Sequence, residues 1–62
     1  MAFVLTDLET GDIYNGMNVS YDIQNGIGSV LLDGAEVFTI DGIDSYEELE
    51  QIFLSEFQVT QV

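Results

Sequence analysis

The chain has 62 residues, of which 12 are Asp or Glu and none is Lys, Arg or His, giving a formal net charge of −12 at neutral pH. That length admits one small domain with a thin core, and the absence of cysteine excludes disulfide reinforcement and thiolate metal sites. No basic segment leads into an apolar run, and no apolar stretch approaches membrane-spanning length, so neither a signal peptide nor a membrane span is expected.

The missing cations are the anomaly. With Lys and Arg near half of a usual ~25 % charged content, a chain this long lacks both only about a few times in ten thousand. The N-terminal amine is the one positive group. High net charge commonly means disorder, but here hydrophobic content is 47 %, mean hydropathy is +0.24, and there are three Tyr and four Phe. The sequence therefore reads as a folded domain that tolerates self-repulsion. Screening by moderate salt is expected to raise its melting temperature.

In chain order, residues 2–8 (AFVLTDL) are rich in strand formers, and residues 9–11 look like a turn. A short strand follows over 12–14, and Asn15-Gly16 carries the signature of a type I′ turn. Residues 18–24 alternate Val19, Tyr21 and Ile23 with Ser20, Asp22 and Gln24, the period of a half-buried strand. Asn25-Gly26 leads to a strand over 28–32, and Asp33-Gly34 to another over 35–40. These two turns, taken literally, set Tyr21 opposite Val30, Val19 opposite Leu32 and Val30 opposite Val37, on one face with Ala35 and Ile23. The opposite face would then show Ile27, Leu31, Phe38 and Ile40 among Ser20, Asp22 and Glu36. The Asn15-Gly16 turn fits less well, because it would put Asp12 beside Val19.

A helix is predicted over 45–57. Asp44 or Ser45 caps it, with Glu47 or Glu48 completing a capping box. Tyr46, Leu49, Ile52, Phe53 and Phe57 form an apolar stripe at helical spacing. Glu47, Glu48 and Glu50 stand near the end the helix dipole favours, whereas Glu56 stands near the other with no cation to offset it. The tail 58–62 either pairs as an edge strand or frays. The expected fold is α+β: an antiparallel β-meander of four to five strands with one C-terminal helix packed on one face.

The chemistry in the sequence is limited to carboxylates and hydroxyls. Without His, Cys or Lys, triad, thiolate and Schiff-base mechanisms are excluded, and the chain is read as non-enzymatic and without a cofactor. Carboxylates bind calcium, but the segments starting at Asp7 and Asp22 both misplace the glycine a calcium loop needs. Asp41, Asp44 and Glu47 read more simply as turn and cap residues than as metal ligands. Direct contact with nucleic acid or anionic lipid is disfavoured by repulsion.

The acids suit a positive partner. A duplex carries one charge per ~1.7 Å, so 12 charges correspond to roughly 20 Å of DNA, and carboxylates at i and i+2 of a strand would recur every ~7 Å. In size, acidity and lack of bases the chain resembles small phage-encoded inhibitors that mimic nucleic acid: anti-CRISPR proteins, anti-restriction proteins and uracil-DNA glycosylase inhibitors. That resemblance implies a mobile-element origin and a target inside the host cell, in the cytoplasm. The expected partner is a basic nucleic-acid-binding protein, met through Asp22, Glu36, Asp41, Asp44, Glu47, Glu48 and Glu50. Asp12 and Asp33 are read as turn residues, and Tyr21 and Tyr46 as core. The alternative is a small oligomerising structural or interaction module, with a homodimer as one form.

Overall fold

A computed structural model describes residues 2–62; the N-terminal amine belongs to Met1, outside the described residues. The elements are β1 (Phe3–Asp7), β2 (Ile13–Gly16), β3 (Val19–Gln24), β4 (Ile27–Leu32), β5 (Ala35–Asp41), α1 (Tyr46–Glu56) and β6 (Phe57–Gln61). The fold is α+β, with six antiparallel strands in two three-stranded sheets, ordered β2-β1-β6 and β3-β4-β5.

The second sheet is a meander whose turns follow from two dipeptides. Asn25 and Gly26 have φ of 53° and 77°, and Asp33 and Gly34 have φ of 52° and 81°. Two consecutive left-handed residues make the turn whose twist matches the flanking strands. Tyr21 faces Val30 and Val19 faces Leu32, as the sequence pattern requires.

The expected pairing of Val30 with Val37 is not formed. The register shifts between Val30 and Leu31, so Val30 faces Phe38 and Leu31 faces Glu36, leaving Val37 as the extra residue of a bulge. The shift turns Phe38 and Ile40 from the expected outer face to the inner one. There the Phe38 ring lies 6.0 Å from Phe53 and 5.8 Å from Phe57, while Val37 also packs on the core. Burial of two large side chains outweighs the regular ladder. Ala35, expected inside, is exposed at the start of the strand.

The first sheet departs further from expectation. Asn15-Gly16 is not a turn: neither residue has positive φ, and both lie in β2, where Asn15 pairs with Val4 and Gly16 with Phe3. The chain reverses instead at 17–18, where the Asp33 carboxylate accepts the N–H groups of Met17 at 3.1 Å and Asn18 at 2.9 Å. The segment 58–62 does pair, with Thr60 beside Val4 and Val59 beside Leu5.

Ser45 is the cap of α1, accepting the N–H of Glu48 at 3.2 Å. Leu49 and Phe53 are buried and Ile52 is half-buried, but Tyr46, expected in the stripe, is exposed. Phe57 is buried as the first residue of β6; it is already extended, and its N–H still donates to the Phe53 carbonyl. The helix thus runs into the strand without a loop. Leu5, Val30, Leu32, Ile43, Leu49, Phe53 and Phe57 form the core, drawing on both sheets and the helix. Gly28 lets the helix approach: a Cβ there would stand 2.9 Å from Leu49 Cδ1.

Candidate partner-binding surface

Eleven of the 12 acids are exposed, and the twelfth, Asp7, is half-buried. What separates them is whether the fold itself uses the carboxylate. Asp7 accepts the N–H groups of Glu9 at 2.9 Å and Thr10 at 3.3 Å, closing the turn between β1 and β2. Asp12 accepts the Thr10 hydroxyl at 2.9 Å. Asp33 holds the reversal at 17–18. These three carboxylates satisfy backbone or hydroxyl donors that would otherwise rely on water.

The other nine carboxylates accept no hydrogen bond from the described residues: those of Glu9, Glu56 and all seven expected partner residues. The Ser45 cap releases Asp44 from the role the sequence offered it. Only half of the capping box forms, since the Glu48 backbone is held but its side chain makes no return bond.

The structure distributes the seven over both sides of the β3-β4-β5 sheet. Asp22, Glu36 and Asp41 are on its outer face, opposite Ser29, Leu31 and Ile27 respectively. Asp22 is on one edge strand, and Glu36 and Asp41 are on the other. Strands ~4.8 Å apart and residues rising ~3.4 Å each separate these three by roughly 12–14 Å. No strand carries outward carboxylates at i and i+2, so the close row considered from the sequence is not built.

Glu47, Glu48 and Glu50 lie on α1, which covers the inner face through Leu49 against Gly28. Asp41 and Asp44 connect the two groups around one end of the molecule. Between them the buried Ile43 donates its N–H to the Gly26 carbonyl at 2.9 Å and pins this end to the β3–β4 turn. The result is an acidic band from the outer sheet face at Asp41, over Asp44, to the first helical turn at Glu47 and Glu48.

The charge of Glu50 is also felt on β3. The Tyr21 hydroxyl is pushed above the ordinary tyrosine value, first by burial and then by the negative charge of Glu50. Tyr21 is half-buried edge-on to Phe53, with ring centroids 6.3 Å apart.

Sequence reasoning set aside Glu9 and Glu56, which are as exposed and unpartnered as the other seven. The signal for Glu56 was present in the lack of any cation near the helix C-terminus. Among the described residues no group of acids converges as a metal cage, no pocket opens in the surface, and no helix is long and apolar enough to cross a membrane. No protein-family model matches the chain, and neither a curated protein nor a solved structure shows significant similarity to it.

Proposed function

We propose that this protein is a non-enzymatic inhibitor that presents nucleic-acid-like negative charge to the basic groove of a DNA- or RNA-binding host protein, such as a CRISPR effector, a restriction enzyme or a DNA glycosylase. The observation that carries this reading is the set of nine carboxylates that accept no hydrogen bond from the described residues, on a chain without one basic side chain. Such a surface repels itself and costs the folded state stability. A cationic partner is what would offset that cost.

Scale supports the same reading. The molecule measures 31 × 22 × 17 Å. Its 12 charges along the longest dimension amount to one per about 2.6 Å, against one per ~1.7 Å of duplex. The separations of roughly 12–14 Å among Asp22, Glu36 and Asp41 are of the order of the ~12 Å width of a major groove, not of adjacent phosphates. This favours a partner that grips a duplex from more than one side. Long-range attraction between the acidic band and a basic groove would speed association, and the partner's own ligand would be excluded.

The test is capture on the immobilised protein from host lysate, followed by challenge with duplex DNA and with RNA at matched ionic strength. Release of a basic nucleic-acid-binding protein by one of them supports the proposal and names the target. Capture of nothing but further copies of the chain, or of proteins that neither nucleic acid displaces, would sink it.

A further inference from the structure

Four Asx-Gly pairs punctuate the chain, at 15–16, 25–26, 33–34 and 41–42. In such a pair the glycine nitrogen, unhindered by a side chain, can attack the side-chain carbonyl carbon of the residue before it. The structure separates the four. Asp33 and Asp41 end in carboxylates, which are poor electrophiles when ionised, and the Asp33 carboxylate is also held by the N–H groups of Met17 and Asn18. The two amides remain. Asn15 and Gly16 both lie in β2, paired with Val4 and Phe3, and Leu32 stands against Gly16, 2.5 Å from where a Cβ would be. Asn25 and Gly26 form the two-residue tip of the β3–β4 turn. Both are exposed, and nothing lies within 4 Å of a Cβ built on Gly26. Neither the Asn25 side-chain amide nor the Gly26 N–H makes a hydrogen bond with the described residues.

We infer that Asn25 is a site of self-modification, at which the folded chain converts a neutral amide into a carboxylate. The Gly26 nitrogen bonds to Asn25 Cγ as the bond from Cγ to the side-chain nitrogen breaks. That nitrogen leaves as ammonia, taking up the proton the Gly26 nitrogen gives up. Water then opens the cyclic imide at one of its two carbonyls. Opening at Cγ leaves aspartate; opening at the main-chain carbonyl leaves isoaspartate, whose backbone runs through the former side chain. Water is consumed and ammonia released, and nothing is oxidised or reduced. This inference does not rest on the inhibitor reading.

Ring closure needs an asparagine ψ that belongs neither to a left-handed turn nor to a strand, so the cost of local opening sets the rate at each pair. Opening the tip at Asn25 frees one two-residue loop, from a left-handed φ of 53° that is itself unfavourable for a residue with a side chain. Opening Asn15 means parting β2 from β1 and from the core residue Leu32, which approaches the unfolding of a whole sheet. The Gly26 carbonyl accepts the N–H of Ile43 at 2.9 Å, so Asn25 stands at the end of the molecule that carries Asp41 and Asp44. Aspartate at 25 keeps the turn, as Asp33-Gly34 does with the same backbone, and adds a negative charge at that end. Isoaspartate lengthens the main chain between Gln24 and Ile27 and is incompatible with a two-residue turn.

Incubation of the intact chain at mildly alkaline pH, followed by chymotryptic mapping and mass spectrometry, tests this. Cleavage after Tyr14 and Tyr21 puts the two Asn-Gly pairs on separate peptides, and fragmentation assigns the residue that has gained the mass of an acid. In denaturant both pairs are free of the fold and should react at rates within about threefold of each other. In the native chain Asn15 should react at least about tenfold more slowly than Asn25. Asn25→Asp keeps the turn chemistry and should abolish the mass gain on the second peptide while leaving Asn15 as slow as before. Native rates that are equal at the two sites, or faster at Asn15, overturn the inference. So does an Asn25 that folding protects as strongly as it protects Asn15.

Discussion

Gly16 and Leu32 are in contact where the two sheets meet: a Cβ added to Gly16 would lie 2.5 Å from Leu32 Cγ and 2.7 Å from both Leu32 Cδ1 and Asp33 Oδ2. Leu32 is a buried core residue of β4, and Gly16 ends β2. The glycine is therefore required by proximity, not by backbone conformation. Gly16→Ala must part the sheets or push Leu32 from its place, and it should destabilise the protein by about 1–3 kcal/mol, the usual cost of overpacking. Asn15→Ala, one residue away and exposed, should change stability by less than about 0.5 kcal/mol. Denaturant midpoints at unchanged slope measure both. Equal stability of Gly16→Ala and the parent would mean that the sheets do not meet there.

That contact also shows where sequence reading stops. Asn25-Gly26 and Asp33-Gly34 are legible as turns because the strands on either side alternate in step with them. Asn15-Gly16 has the same dipeptide signature but is read wrongly. Its glycine is there for a neighbour 16 residues further along the chain, and no local pattern encodes that neighbour. The bulge at Val37 is illegible for a similar reason. Val37, Phe38 and Ile40 are all apolar, so alternation alone does not choose which of them face inward; the Phe53 and Phe57 rings do. For the acids, exposure follows from composition. Their division into carboxylates that hold turns and carboxylates left unused needs the long-range hydrogen bonds of Asp33.

Asp33 and Asp22 should therefore respond oppositely to neutralisation. Asp33→Ala removes the acceptor for two backbone N–H groups and puts alanine at a φ of 52°. Loss of a cap-like acceptor and the left-handed strain together should cost about 2–3 kcal/mol. Asp33→Asn keeps one acceptor oxygen and a side chain that tolerates that conformation, so it should cost less than half as much. Asp22→Asn removes one repelling charge and no internal bond, and it should be neutral to slightly stabilising. The three midpoints, measured at one salt concentration, decide it; a destabilised Asp22→Asn would mean that the fold depends on the Asp22 carboxylate.

Tyr21 gives the fold a dependence on alkaline pH. Its hydroxyl is held above the ordinary value of 10.0, first by burial and then by Glu50. The folded state thus keeps a proton that the unfolded state releases first. The stabilisation is fully present below pH 10, and it is lost as pH rises from there through the folded-state value. Ultraviolet titration should show Tyr21 ionising later than it does in an unfolded reference. Tyr21→Phe should remove that late step and flatten the decline in stability above about pH 10. Glu50→Gln should move the late step down by less than unfolding does, because burial is the larger cause. A titration in which removing Tyr21 takes away no late step would refute its placement.

Salt and charge removal should act on stability through one cause. No basic side chain exists to form an ion pair, so screening removes repulsion and little attraction. The melting temperature should rise from low to moderate NaCl, with most of the gain below ~0.2 M, where the Debye length falls to the spacing between neighbouring charges. Asp22→Asn, Glu36→Gln and Asp41→Asn together lower the charge on one sheet face without breaking an internal bond. This triple variant should melt higher than the parent at low salt, and its melting temperature should respond less to added salt. Glu47→Gln, Glu48→Gln and Glu50→Gln relieve the same number of charges but give up the favourable interaction of Glu47 and Glu48 with the helix N-terminus, typically ~0.3–1 kcal/mol each. Its gain at low salt should be smaller than that of the sheet-face triple, and the difference should narrow in high salt, which screens the dipole term as well. Thermal denaturation of the three proteins across a salt series measures each of these. A parent melting temperature that falls with salt, or a sheet-face triple that melts lower, would mean that the acids contribute attraction within the fold, and the picture of an unused negative surface would not hold.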